Sequence, residues 1–121
     1  MKVIYKNSLI RVEVEKSEVP WFKIKLQEPY GALSDAKKEV KSEVLRVLDR
    51  INQEMINFYQ PDKINIVSVG HVFPHIYWHI VARFRADSHF PELMWGEKQR
   101  EGEYKLEQFN EFLQTLKEKL S

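Results

Sequence analysis

The pattern of apolar and polar positions begins with two short alternating segments. Apolar residues alternate with polar ones from Leu9 to Glu15 and again from Phe22 to Leu26. This two-residue period is typical of strands with one buried face, and the turn at residues 17–20 would join them. The start of the chain therefore predicts a β-hairpin.

Two later segments carry the longer period of an amphipathic helix. Apolar residues recur three or four positions apart from Val40 to Phe58, with Ser34 placed to cap this helix and Pro61 to end it. The same spacing returns from Leu106 to Leu120 and predicts a C-terminal helix.

The region between the two helices predicts two more strands. Residues 64–69 are rich in β-branched side chains and predict a central strand, and residues 74–84 predict another. An irregular stretch from about residue 85 to residue 102 is too long for a simple turn, and such loops often serve a functional site. The order of elements is ββα-ββα, and residues 1–121 are expected to form a single α+β domain.

Composition excludes several classes of function. The 121 residues are 43% hydrophobic, which is enough for one core. Nineteen basic and eighteen acidic residues give a net charge of +1, so no overall field favours nucleic acid or an acidic membrane. The absence of cysteine excludes a thiolate nucleophile and a disulfide framework. No run approaches the roughly 18 apolar residues of a membrane helix, and we expect a cytoplasmic protein.

Three ring side chains fall on one face of the strand predicted at residues 74–84. Because side chains alternate along a strand, His75, Tyr77 and His79 share one face, together with Arg83. Two imidazoles and a phenol in one row indicate a site for a polar ligand. Four residues of strand span about 13 Å, so His75 and His79 would not share one metal ion, and no metal site is expected.

Residues 65–83 resemble the signature of the histidine triad (HIT) family, His-φ-His-φ-His-φ-φ, where φ is apolar. His75 and His79 match the first and third histidines of that signature, and Tyr77 stands in the place of the middle one. The similarity extends over residues 61–96 and is closest to a bacterial subgroup.

The resemblance implies a HIT-like fold, an antiparallel sheet of about five strands with two α-helices. Such proteins are usually homodimers, need no cofactor, and bind a purine nucleotide or nucleotide monophosphate with its α-phosphate over the triad. The middle histidine attacks the phosphorus, and water hydrolyses the nucleotidyl-enzyme intermediate. Carried over by position, the catalytic residues are His75, Tyr77 and His79, and the nucleotide- or phosphate-binding residues are Asn65, Gly70 and His71.

Tyr77 is the departure from the family pattern that matters most. A phenol with an ordinary pKa of about 10 is only ~0.1% ionised at pH 7, so we expect the usual covalent route to be impaired. Three interpretations stay open. The chain could be a nucleotide-binding protein with impaired chemistry. It could be an active phosphohydrolase acting on a nucleotide phosphoramidate or dinucleoside polyphosphate, through Tyr77 or through direct water attack with His79 as the acid. Finally, it could be a structural or regulatory homodimer.

The roles of three other side chains are left open by the sequence. Arg83 could bind phosphate, pair with a carboxylate or cover apolar surface. Phe90 and Trp95, in the long irregular stretch, could cover the site or pack at a subunit interface.

Overall fold

The computed structural model describes residues 2–72 and 74–121 and places them in one sheet and two α-helices. The strands are β1 (Lys2–Lys6), β2 (Ile10–Val14), β3 (Trp21–Leu26), β4 (Lys63–Val72) and β5 (His75–Arg83). The helices are α1 (Lys38–Tyr59) and α2 (Phe109–Leu120). The α+β prediction is therefore confirmed.

Strand β1 precedes the predicted hairpin and was not expected from the sequence pattern. Its pairing with β2 shifts register between Val3 and Tyr5, so the strand contains an irregularity. Such a bulge interrupts the two-residue alternation by which strands are recognised.

The five strands are all antiparallel to their neighbours and lie in the order β1-β2-β3-β5-β4. The predicted hairpin is confirmed as β2 and β3, with Val12 opposite Ile24. The prediction of a central strand at residues 64–69 is wrong, because β4 is at the edge of the sheet. Strand β5 occupies the interior position between β3 and β4, where its main chain is fixed from both sides.

Both helices pack their apolar stripes against one face of the sheet to form the core. The predicted stripe of α1 is confirmed, with Val40, Val44, Leu48, Ile51 and Met55 all buried. Helix α2 contributes a second buried stripe, formed by Phe112, Leu113, Leu116 and Leu120. The opposite face of the sheet is left for the side chains of the candidate site.

The ends of the helices differ from the predicted ones. Ser34 does not cap α1 but lies in a short 3-10 helix (Leu33–Asp35), and α1 follows Lys37, which makes no side-chain capping hydrogen bond. At its far end α1 stops before Pro61 as predicted, with Gln60 in the left-handed conformation. Leu106 precedes α2 because the helix begins only at Phe109.

Residues 84–108 contain neither helix nor strand, so the predicted irregular stretch is confirmed and runs longer than expected. Main-chain hydrogen bonds fold it back on itself, including one of 2.8 Å from the Gln99 amide to the Ser88 carbonyl. Within the described residues, no helix combines the length and the apolar character needed to cross a membrane.

Candidate functional site

The three ring side chains of β5 lie in a row that becomes more buried along the strand. His75 is exposed, Tyr77 is half-buried and His79 is only 5% exposed. The rings of Tyr77 and His79 are 5.3 Å apart between centroids. The structure thus brings Tyr77 and His79 into contact, while His75 stands at the open start of the strand opposite Val72.

Strand β3 places two lysines beside this row. Lys25 is opposite Tyr77 and Lys23 is opposite His79 in the antiparallel register, and directly opposed side chains share a face. The Lys23 Nζ atom lies 5.4 Å from the centre of the Tyr77 ring. Neither lysine could be assigned to the site from the sequence, because the polar face of a hairpin usually faces solvent and only the strand order shows that β3 lies beside β5.

A buried carboxylate on β2 holds two of the nearby cations. Glu13 accepts a 2.7 Å hydrogen bond from Nε of Arg11, and its other oxygen is 3.1 Å from Nζ of Lys25. Burial opposes ionisation of Glu13, but the hydrogen bonds from Arg11 and Lys25 outweigh it and lower the pKa of the carboxyl. Arg11 and Lys25 are therefore fixed in place by an ionised partner.

A cleft of about 500 Å³ opens at the start of β5. Its wall combines cationic groups, aromatic rings and two members of the row on β5. The residues that line it include Arg11, Lys25, Tyr30, Pro74, His75 and Tyr77. This mixture suits a ligand with an anionic end and a flat apolar end.

His79 lies outside that cleft, beneath two tryptophans. The indole Nε1 of Trp21 donates a 2.9 Å hydrogen bond to Nδ1 of His79. The Trp95 ring packs edge-on against the imidazole, with centroids 4.8 Å apart, and also contacts Trp21. Burial, reinforced by the Lys23 cation, lowers the pKa of His79 to about 4, so the ring is neutral at pH 7.

The Arg83 side chain forms a buried ion pair within the protein. This side chain is 2% exposed, and the guanidinium donates to both carboxylate oxygens of Asp87, at 3.0 and 3.1 Å. Burial opposes ionisation of Asp87, but Arg83 and three backbone amides outweigh it and lower the pKa of this carboxyl. Of the roles left open for Arg83, the structure shows the ion pair with a carboxylate.

Asn65 is hydrogen-bonded to the same Arg83 side chain. Its side-chain oxygen accepts a 2.9 Å hydrogen bond from Arg83, and the residue lies opposite Val81, two pairs beyond His79. It is therefore at the end of β5 remote from the cleft.

Comparison with known proteins gives matches at the level of structure alone. No protein-family model matches the sequence, and no curated protein does. Crystal structures of histidine triad proteins from Bradyrhizobium japonicum and Marinobacter aquaeolei are similar over 99% of this chain and 90% of theirs. Both have a TM-score of 0.80, with 23% and 19% sequence identity. A hypothetical histidine triad nucleotide-binding protein from Sulfolobus tokodaii is similar over 98% of this chain and 82% of its own, with a TM-score of 0.60 and 13% identity.

The chain has the HIT-like fold. The fold that the resemblance implied is thereby confirmed, including the antiparallel sheet and the two helices.

The remaining two predicted site residues lie near the end of β4 of the HIT-like fold. Gly70 and His71 are both exposed, and neither contributes to the wall of the cleft. Val72, the next residue, does line it, and Phe73 lies outside the described residues.

Metal binding was not expected from the spacing of His75 and His79. In the part of the chain that the structure describes, no three His, Asp or Glu side chains come together as a metal-binding group. His75 is exposed beside the cleft and His79 is enclosed by tryptophans, so the two imidazoles face different surroundings.

Proposed function

We propose that this protein binds a purine nucleotide or nucleotide monophosphate in the cleft at the start of β5, and that Tyr77 impairs the covalent route through a nucleotidyl-histidine. The observation that carries the proposal is the pairing of cationic groups with ring side chains in one cleft. Arg11, Lys25 and His75 would hold the phosphate, and Tyr30 offers a flat ring for the base.

The proposal agrees with the HIT-like fold. The Sulfolobus tokodaii protein is described as nucleotide-binding, and its chain shares this fold at a TM-score of 0.60. Tyr77 stands where the resemblance puts the nucleophilic histidine, so binding and chemistry are separable properties of the site.

The test of binding is a thermal melt with millimolar AMP, ADP and GMP. A ligand that prefers the native state raises the melting temperature. Lys25→Gln should weaken AMP binding roughly tenfold, because it removes a charged partner of the phosphate. The matched control is Lys63→Gln, which removes an exposed lysine at the far end of the sheet, opposite Arg83. No rise in melting temperature with any nucleotide would contradict the proposal.

The test of chemistry uses adenosine phosphoramidate and a dinucleoside polyphosphate, followed by phosphorus NMR. The wild-type protein should show little turnover, and Tyr77→His should gain it together with a nucleotidyl adduct visible by mass spectrometry. A wild-type protein that turns over substrate and loses activity in Tyr77→Phe would instead support the second candidate, a working phosphohydrolase. Lys23 favours that candidate, since its ammonium near the Tyr77 ring would draw a phosphate toward the phenol.

We further propose that the chain forms a homodimer. In the described residues β4 pairs with β5 on one side only, and Ile66 is 50% exposed on this edge strand. A long edge with an apolar side chain favours pairing with a second copy. Analytical ultracentrifugation should give a dimer for the wild type and a monomer for Ile66→Lys, and a monomeric wild type would contradict the proposal. A dimer that binds no nucleotide would favour the structural or regulatory interpretation.

A further inference from the structure

The hydrogen bond between Trp21 and His79 determines where the imidazole carries its proton. An indole N–H can only donate, so Nδ1 of His79 must accept and must be unprotonated. A neutral imidazole has one proton, which then lies on Nε2. Nε2 is the ring nitrogen left to contact a ligand.

The surroundings of His79 keep the ring neutral. Lys23 on β3 is the charged group opposite it, and Glu15, the residue after β2, has a carboxylate oxygen 3.8 Å from Nζ of Lys23. Tyr77 is the titratable neighbour on β5, whereas β4 presents Val67 and the long loop presents Trp95. A second proton would have to be placed on Nδ1, directly against the indole N–H. The hydrogen bond from Trp21 and the burial of the ring therefore both disfavour the protonated form of His79.

We propose that Trp21 is a positioning residue that fixes His79 as a neutral hydrogen-bond donor through Nε2. Resting on the proposed function, this leaves Nε2 as the nitrogen that would make the phosphate contact already implied by the place of His79 in the triad, beside Tyr77, whose ring lines the cleft and contacts His79. It also removes His79 as the acid for direct water attack. With a pKa of about 4, only ~0.1% of the rings carry the extra proton at pH 7.

The test is long-range proton–nitrogen NMR on protein labelled with ¹⁵N in histidine and tryptophan, first without nucleotide. The chain has four histidines, and His79→Gln assigns the signals. The wild type should show Nε2 protonated, a nitrogen–nitrogen coupling across the hydrogen bond from Trp21, and titration near pH 4. A proton on Nδ1, or titration near the ordinary value of 6.5, would overturn the proposal.

Two variants separate the hydrogen bond from simple packing. Trp21→Phe keeps an aromatic ring but removes the donor, so the two tautomers should mix and His79 should titrate at higher pH. Trp95→Phe removes an indole from the same cluster without touching this hydrogen bond, so the tautomer should be unchanged. An unchanged tautomer and titration in folded Trp21→Phe would overturn the proposal, and the wild-type coupling decides the matter if that variant does not fold.

Adding AMP distinguishes this inference from the proposed function. If AMP raises the melting temperature and shifts the Nε2 proton of His79, both are supported. If AMP binds and that proton does not move, the donor role is overturned while nucleotide binding stands. If AMP does not bind, the proposed function and the donor role fail together, and the tautomer measured without nucleotide still tests the part played by Trp21.

Discussion

The two ends of β5 place chemically similar side chains in opposite surroundings. At the closed end, Arg83 is buried against Asp87 and His79 is enclosed by Trp21 and Trp95. At the open end, His75 is exposed and lines the cleft. Two histidines of one sequence motif therefore differ in burial, in hydrogen bonding and in access to a ligand. Position in the motif therefore sets the place of a residue on the strand, while the neighbouring strands and the long loop determine what its side chain contacts.

The largest expected effect is a loss of unfolding free energy when the ion pair at the closed end is removed by substitution of Arg83. Arg83→Met leaves the fully buried Asp87 carboxylate without its cationic partner, which costs about 3–5 kcal/mol of unfolding free energy. The matched control is Arg85→Met, whose side chain is 83% exposed and whose contact with Asp62 is 3.8 Å long. Urea denaturation measures both, and equal losses would show that burial of the pair does not matter.

A second prediction concerns the acid side of the pH profile. Because folding lowers the pKa of His79 to about 4, the unfolded chain binds more protons between about pH 6.5 and pH 4. The unfolding free energy should therefore fall as the pH is lowered through this window. His79→Gln should flatten the curve there and keep the further loss at lower pH that comes from Asp87. An identical slope in wild type and variant would contradict the buried neutral state of His79.

A substitution at the open end should change the affinity for a nucleotide and leave the unfolding free energy almost unchanged. His75→Ala removes an exposed side chain, so the unfolding free energy should change by less than about 0.5 kcal/mol. Its AMP affinity, measured by calorimetry, should fall roughly tenfold because a phosphate partner is lost. His71→Ala is the comparison, since His71 is exposed but outside the cleft wall. An equal loss there would mean that His71 reaches the phosphate, as the resemblance implies.

The smallest effect is expected at Gly70. A Cβ atom at this position would be 3.7 Å from the Gly31 carbonyl oxygen and 3.8 Å from the Ile76 side chain, which are ordinary contacts. Gly70→Ala should therefore alter stability by less than about 0.5 kcal/mol and leave AMP affinity unchanged. A marked loss of affinity with intact stability would show that ligand must approach this backbone closely.

The sequence predicted the elements of this fold better than their arrangement. Alternation identified β2 and β3, and helical spacing identified the buried stripe of α1, because these periods follow directly from backbone geometry. The edge position of β4 could not be predicted from its β-branched residues, since strand order depends on pairing between distant segments.

For the candidate site, the sequence predicted the residues on β5 but not their neighbours on β3. The motif predicted that Tyr77 and His79 share a face, and their rings are in contact. Lys23, Lys25 and Trp21 come from a strand more than fifty residues earlier in the chain, so no local pattern linked them to β5. The signal that could have found them is the alternation of β3 itself, once β3 is paired with the motif strand.

The Glu13 carboxylate has a consequence for how a ligand would enter the cleft. Arg11 and Lys25 carry long side chains, and immobilising such a chain on binding costs about 0.5–1.5 kcal/mol of conformational entropy. Since Glu13 already restrains both, that loss of freedom occurs when the protein folds. An incoming anion would meet two cationic side chains, Arg11 and Lys25, that are already ordered. Because the Glu13 carboxylate offsets part of their positive charge, the attraction of the anion to the cleft should depend only weakly on salt concentration.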